Sequence, residues 1–270
     1  MGLTSSSSGI KLLRENFNIN NNKNNPIIAL AGNPNTGKST VFNGLTGLKQ
    51  HTGNWPGKTV TQAQGYYNHQ GQEFTLIDLP GSYSLLANST EEKIARDFIC
   101  FAKPSATIVV ADATNLERNL NLVLQVMELT KKTILCVNLM DEAKRKGIKI
   151  DFNGLKKDLG IPVVPTVARD NKGLKELKQI VHNVVKGDIT LKPLKIKYSD
   201  KIETEVNKIV QQLKKMPTNI DSELNLHWLA LRLLEGDSDI AEYLDKFVIS
   251  KDLNKNNSKG VITEDEVNYI

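Results

Sequence analysis

Apolar positions in this chain follow two alternating rhythms between Pro26 and Gly187. Short unbroken runs have the length of buried strands. Between them apolar residues recur every three or four positions, the spacing of one helix face. PIIALAG (residues 26–32), ATIVVAD (106–112), TILCVNLMD (133–141) and PVVPTVA (162–168) predict strands. KSTVFNGLTG (38–47), NLERNLNLVLQVMELT (115–130), DFNGLKKDLG (151–160, with Asp151 as N-cap) and GLKELKQIVHNVVKG (173–187) predict helices. KTVTQAQGYYN and EFTLIDL flank the turn HQGQ and predict an antiparallel hairpin. Strands alternating with helices imply a mostly parallel sheet covered on both faces, with the hairpin as one antiparallel edge.

The rhythm changes after DITLKPLKIKY. SDKIETEVNKIVQQLKKM, SELNLHWLALRLLEGD and DIAEYLDKF are helical in period, with no strand among them. The expected organisation is therefore an α/β domain over residues 26–188 and a small all-α domain over 189–270. Residues 1–25 contain SSSSG and NINNNKNN, without a signal-peptide run, and read as a disordered extension or a cloning remnant. A short amphipathic patch within them, IKLLRENF, has no assigned role. The closing TEDEVNYI opens with a capping box, Thr263 with Glu266, and predicts a helix that continues beyond Ile270.

Composition narrows the class only a little. The 39% hydrophobic, 24% charged and 6% aromatic content is ordinary for a globular protein. No run approaches the roughly 18 apolar residues of a membrane helix. The net charge is +5, but the lysines are dispersed among acids, which reads as a solvated surface rather than a nucleic-acid or lipid patch. Cys100 and Cys136 form no CxxC pair and read as reduced core thiols of a cytosolic protein. His51, His69, His182 and His227 are far apart in sequence and read as surface or satisfied side chains, not ligands.

The loops at the strand ends change the picture. GNPNTGKS (32–39) fits GxxxxGK[ST] between a predicted strand and a predicted helix. Gly32 and Gly37 allow a turn whose N–H groups, over Asn33, Pro34, Asn35 and Thr36, face a β-phosphate. Lys38 reaches the β- and γ-phosphates, Ser39 offers a hydroxyl to Mg²⁺, and Thr40 follows in the first helical turn. In DLPG, Asp78 can hold the Mg²⁺ shell and Gly81 can donate its N–H to a γ-phosphate, with Leu79 and Pro80 between them. Ser82 stands where many GTPases carry a water-orienting glutamine. NLMD places Asp141 to accept from the N1–H and exocyclic amine of guanine, which adenine cannot satisfy. Asn138 braces the base and the phosphate loop, Leu139 covers the base by apolar contact, and Met140 lies between. In TVARD the Ala168 N–H can meet the guanine carbonyl, with Val167 and Arg169 beside it. Thr59, with Gly57, Lys58 and Val60, is placed to close over Mg²⁺ and the γ-phosphate. The set implies a guanine-nucleotide site at the strand ends.

TGLKQHTGNWPGKTVTQAQG, DLPGSYSL, DATNLERNLNL and VNLMDEAKRKGIKID carry a more specific signal. From about Pro26 to Gly187 the chain resembles the ferrous iron transport protein B family, and more weakly through the helical segment. The resemblance implies a Ras-like P-loop GTPase domain and a helical domain on the cytoplasmic face of the membrane, ahead of a membrane region for Fe²⁺ on a longer chain. Homo-oligomerisation is a further possible partnership. It also implies K⁺ activation: Asn35 matches an asparagine similar to a K⁺ ligand, and the cation would supply charge that an arginine finger gives elsewhere. Lys38, Asn35 and Thr59 are then the candidate catalytic residues, with Ser39, Thr59 and Asp78 toward Mg²⁺ and Asn35 toward K⁺. The expected activity is slow hydrolysis of GTP. Spacing alone gives no structural need for Arg118 or Asn119, which read as an exposed helix start. Two other readings are a ribosome- or tRNA-directed GTPase, for which no aromatic-basic signature is present, and a nucleotide switch without significant hydrolysis.

Overall fold

Ile27–Gly32, six residues without a charged or hydrogen-bonding side chain, form β1, and all six are buried. A strand buried on both faces needs helices on both sides of its sheet, and the chain supplies them. The structure is a computed structural model that describes residues 17, 19, 25–48, 50–86, 88–215, 225–242 and 244. Two compact units divide the chain, Met1–Ile196 and Lys197–Ile270.

The first unit is built on seven strands, β1, β2 (Gln50–Asn54), β3 (Thr61–His69), β4 (Gln72–Asp78), β5 (Ala106–Asp112), β6 (Thr133–Asn138) and β7 (Val163–Pro165), in the order β2-β3-β4-β1-β5-β6-β7. From β4 to β7 the neighbours are parallel, while β3 is antiparallel to both β2 and β4. The hairpin turn at Gln70 and Gly71 has φ of 49° and 78°, the left-handed pair that fits the twist of two adjoining strands. α1 (Lys38–Thr46) and α6 (Leu174–Lys186) pack Val41, Phe42, Leu45, Leu177 and Val181 against one sheet face. α3 (Leu116–Leu129) packs against β5 and β6. The register lines up the C-terminal ends of four strands: Leu30 pairs with Asp78, Gly32 with Val110, and Asp112 with Asn138.

Several elements depart from the sequence reading. β2 was not predicted, because QHTGN has no apolar alternation; it forms by pairing with the edge of β3. α2 (Thr90–Asp97) was missed as well, although Ser89 caps it by accepting from the Glu92 N–H, as an S-x-x-E sequence allows. It runs into a buried π-helical turn, Phe98–Ala102. α4 (Met140–Arg145) directly follows β6, and β7 keeps only three residues of the longer predicted run. α5 (Phe152–Leu159) begins as expected, with Asp151 accepting from the N–H groups of Asn153 and Gly154. The segment after α6 stays extended and follows the α5–β7 connection, Lys192 N–H to Gly160 O at 3.2 Å and Leu194 N–H to Leu159 O at 2.9 Å.

Asn119 was read as exposed and is 4% exposed: its amide donates to Asn115 O at 2.7 Å and its oxygen accepts from Asp112 N–H at 3.4 Å. It clips the end of β5 to the start of α3. Arg118 stacks over the Tyr83 ring at 4.7 Å. His182 departs from the reading too, being buried with Nδ1 unpartnered, 5.6 Å from the His69 ring. Burial first, then Lys186 and His69, holds it below the ordinary histidine value. Cys100 and Cys136 are free and buried, and burial pushes the Cys136 thiol up to about 12. Residues 1–25 were read as having no ordered place, yet Phe17 packs edge-on against Trp55 and Phe98. The rest of the IKLLRENF patch, and the Thr263–Glu266 box, lie outside the described residues.

In the second unit α7 (Asp200–Lys214) packs on α8 (Leu226–Leu234), burying Val206 and Leu213 with Trp228 and Leu229. His227 Nε2 lies 3.0 Å from Glu203 Oε2. Among the described residues no helix is long and apolar enough to cross a membrane, and no group of three or more His, Cys, Asp or Glu could hold a metal.

Candidate functional site

The loop between β1 and α1 is shaped by what approaches it. Gly37 has φ of 79°, and a Cβ there would stand 2.4 Å from Asn138 Nδ2, so backbone conformation and packing both require glycine. Asn35 also takes a left-handed φ, 66°, and its side chain is exposed at the loop tip. Thr36 is buried, its hydroxyl donating to Asn33 O at 2.9 Å. Asn33 Oδ1 is buried without a partner. α1 begins with no side-chain cap and no acidic residue in its first turn, which leaves its positive end for an anion. Ser39 and Thr40 are exposed in that turn.

Asn138 joins this loop to two others. Its Nδ2 donates to Thr36 O at 3.0 Å, and its Oδ1 accepts from the Ala168 N–H at 3.0 Å and from Thr166 Oγ1 at 3.1 Å. Asn138 thus ties the phosphate loop to the connection after β7. The Ala168 amide, assigned toward a base carbonyl, is aimed at Asn138 instead. Thr166 was missed: it is 2% exposed and supports Asn138, one residue before Val167. Val167 itself exchanges backbone bonds with Lys172.

Past Asn138, Leu139 turns left-handed at φ 62° and starts α4, with Met140 at its first position. Asp141 follows in the first turn. Among the described residues neither Asp141 oxygen makes a hydrogen bond, although Arg169 Nη2 approaches Oδ2 to 2.5 Å. The contact is an ion pair without hydrogen-bond alignment, and Arg169 is largely exposed. The carboxylate thus has one oxygen against an exposed, displaceable guanidinium and the other without a hydrogen bond among the described residues.

The β4 end meets the phosphate loop from the other side. Leu79 N–H donates to Leu30 O at 2.9 Å and Ser82 N–H to Gly32 O at 3.3 Å. A Cβ on Gly81 would lie 3.5 Å from Pro34, ordinary contact, so the protein's own packing does not demand glycine there. Lys38 Nζ donates to Asp78 Oδ1 and, at 2.6 Å, to Leu79 O. Burial raises the Asp78 carboxyl above the ordinary carboxylate value, and Lys38 offsets only part of the rise. The Ser82 hydroxyl is buried and unpartnered rather than facing outward. Beyond it, Leu85 N–H donates to Gln125 Oε1 at 2.6 Å and Ser84 Oγ to Glu92 Oε1 at 3.0 Å, fastening this segment to α3 and α2.

The stretch before β3 is the part the structure does not gather in. Gly57, Lys58 and Thr59 are exposed, Val60 is half-buried, and the Thr59 side chain bonds to no described residue.

A family model described as Ferrous iron transport protein B matches residues 26–181, and another, the FeoB cytosolic helical domain, matches residues 198–265. The chain belongs to the ferrous iron transport protein B family. An Fe(2+) transporter FeoB of Methanocaldococcus jannaschii is 44% identical over 218 residues, 80% of this chain and 31% of that protein. The chain spans less than a third of the length of the curated relatives it matches. The cytosolic domain of the T. maritima FeoB iron transporter in a GDP form aligns with a TM-score of 0.75 at 40% identity, covering 82% of this chain and 86% of that one. Its GMPPNP form aligns at 0.74 with the same identity and coverage. The first unit accordingly has the P-loop GTPase fold.

Proposed function

We propose that this chain binds guanine nucleotides and hydrolyses GTP slowly, as the regulatory part of a membrane Fe²⁺ uptake protein. In this reading residues 26–188 are the nucleotide-binding domain and 189–270 a helical domain, on the cytoplasmic side of a membrane region carried by a longer chain. The observation that carries the reading is the Asp141 carboxylate, half-buried, making no hydrogen bond among the described residues and paired only with the largely exposed Arg169, three residues past the Asn138 bridge to the phosphate loop. A purine with two adjacent N–H donors satisfies such an acceptor pair, and adenine does not.

The remaining roles follow from position. The uncapped start of α1 takes phosphates, with Lys38 exchanging its bond to Asp78 for phosphate oxygens. Ser39 and Asp78 offer the hard oxygen donors that suit Mg²⁺, and Thr59 joins them only when its loop moves inward. Asn35 offers an exposed amide carbonyl to K⁺. The two cations would supply positive charge beside the transferring phosphoryl group. Ser82, buried in the turn, does not orient water, so Thr59 and neighbouring backbone position the nucleophile.

Calorimetry with GTP and ATP, followed by turnover in K⁺ and Na⁺, tests this. GTP is expected to bind and ATP not. K⁺ is expected to raise turnover at least about tenfold over Na⁺, and Asn35→Ala to abolish the difference while leaving GDP affinity intact. Equal heats for the two nucleotides would refute the base assignment, and equal rates in the two salts would remove the cation.

A further inference from the structure

Phe17 lies outside the segment that the family model matches, which begins at residue 26. Its ring nevertheless stands edge-on to Trp55 at 6.2 Å and to Phe98 at 5.3 Å, and Trp55 and Phe98 are themselves edge-on at 5.5 Å. Gln62 Nε2 donates to the Phe17 carbonyl at 3.2 Å, so the backbone is held as well as the ring. Three aromatic rings in mutual contact form a closed cluster whose edge-to-face pairs stabilise beyond simple burial. Trp55 is 1% exposed within it, and its Nε1 has no hydrogen-bond partner among the described residues.

Trp55 is also the first residue of the loop that carries Thr59. Its N–H donates to Val60 O at 2.9 Å and its carbonyl accepts from Lys58 N–H at 3.0 Å. The loop is thus closed on itself, with the indole as its root. In the arrangement seen, Thr59 is exposed and bonded to no described residue. Bringing Thr59 inward displaces the root of the loop, and the root is wedged between Phe17 and Phe98.

We propose that Phe17 is a positioning residue that acts through Trp55 and restrains the 55–60 loop in its outward arrangement. The proposal rests on the guanine-nucleotide reading above. A contact made in only one of two arrangements lowers affinity for whatever binds the other. GTP, whose γ-phosphate calls for Thr59, is then bound less tightly relative to GDP than it would be without Phe17.

The test uses the full chain labelled with 5-fluorotryptophan, which gives two ¹⁹F signals, from Trp55 and Trp228. Phe17→Ala is expected to shift the Trp55 signal and leave the Trp228 signal in place. It is also expected to raise the affinity for GMPPNP relative to GDP by about 2- to 10-fold, the size of one or two edge-to-face contacts. Phe17→Leu, which keeps an apolar plug, should fall between wild type and Phe17→Ala in both measurements. An unmoved Trp55 signal, or an affinity ratio that stays level or falls in Phe17→Ala, overturns the proposal. So does a Phe17→Leu variant beyond Phe17→Ala in both measurements. A wild-type chain that binds neither nucleotide refutes the underlying reading instead, and the ¹⁹F signals still report whether the ring contact exists.

Discussion

Asn138, at the end of β6, and Thr59, in the loop before β3, are assigned to the same nucleotide, yet their surroundings are opposite. Asn138 is 1% exposed and holds three loops together with three hydrogen bonds. Thr59 is exposed and held by none among the described residues. The side proposed for the base is a set of groups fixed by the sheet itself, since a lost bond there strands other buried polar atoms. The side proposed for the γ-phosphate hangs on one buried indole. Under the proposed function, such a division selects the ligand with the fixed parts and leaves the step that depends on the third phosphate to the exposed loop.

The comparison breaks most readily at Asp141. Asp141→Asn is expected to lower GTP affinity by about 10²- to 10³-fold, because an amide cannot accept two hydrogen bonds from one base edge. The folding midpoint should barely change. Calorimetry with thermal melts checks this, and an unaltered affinity would place the base elsewhere. Asn138→Ala should instead destabilise the fold, by roughly 2–3 kcal/mol in urea titration, as Thr36 O and the Ala168 N–H lose their partner. A loss below about 0.5 kcal/mol would mean that the bridge is not rigid. Thr59→Ala should leave both stability and GDP affinity within error of wild type while slowing GTP turnover about tenfold. If GDP affinity fell together with turnover, the 55–60 loop would belong to the fixed side after all.

Much of the site could be read from residue order, and the reasons are local. GNPNTGKS announces its strand–turn–helix context by glycine spacing and flanking periodicity, and Asp151 and Gly187 announce helix ends by their own chemistry. What escaped the reading acts across distance. Thr166 supports Asn138 over 28 positions, and no property of a threonine just past a strand end signals it. Asn119 resembled any polar residue near a helix start until β5 was laid beside it. β2 has no apolar pattern because it sits at the sheet edge with its side chains exposed from His51 to Asn54, and its pairing with β3 alone makes it a strand. Ser82 could be seen to lack the length of a glutamine, but only the fold turned its hydroxyl inward.

The chain's order of residues by itself determined the strand and helix types and the chemistry offered at their ends, because periodicity and turn conformation depend on neighbours a few positions apart. The tertiary structure decided which of those groups share an environment: Asn138 reaching Thr36 across 102 positions, Lys38 meeting Asp78, and Phe17 roofing Trp55. Such contacts depend on loop closure and on the register of a sheet whose partners are far apart in the chain, and neither is written in any short stretch of it.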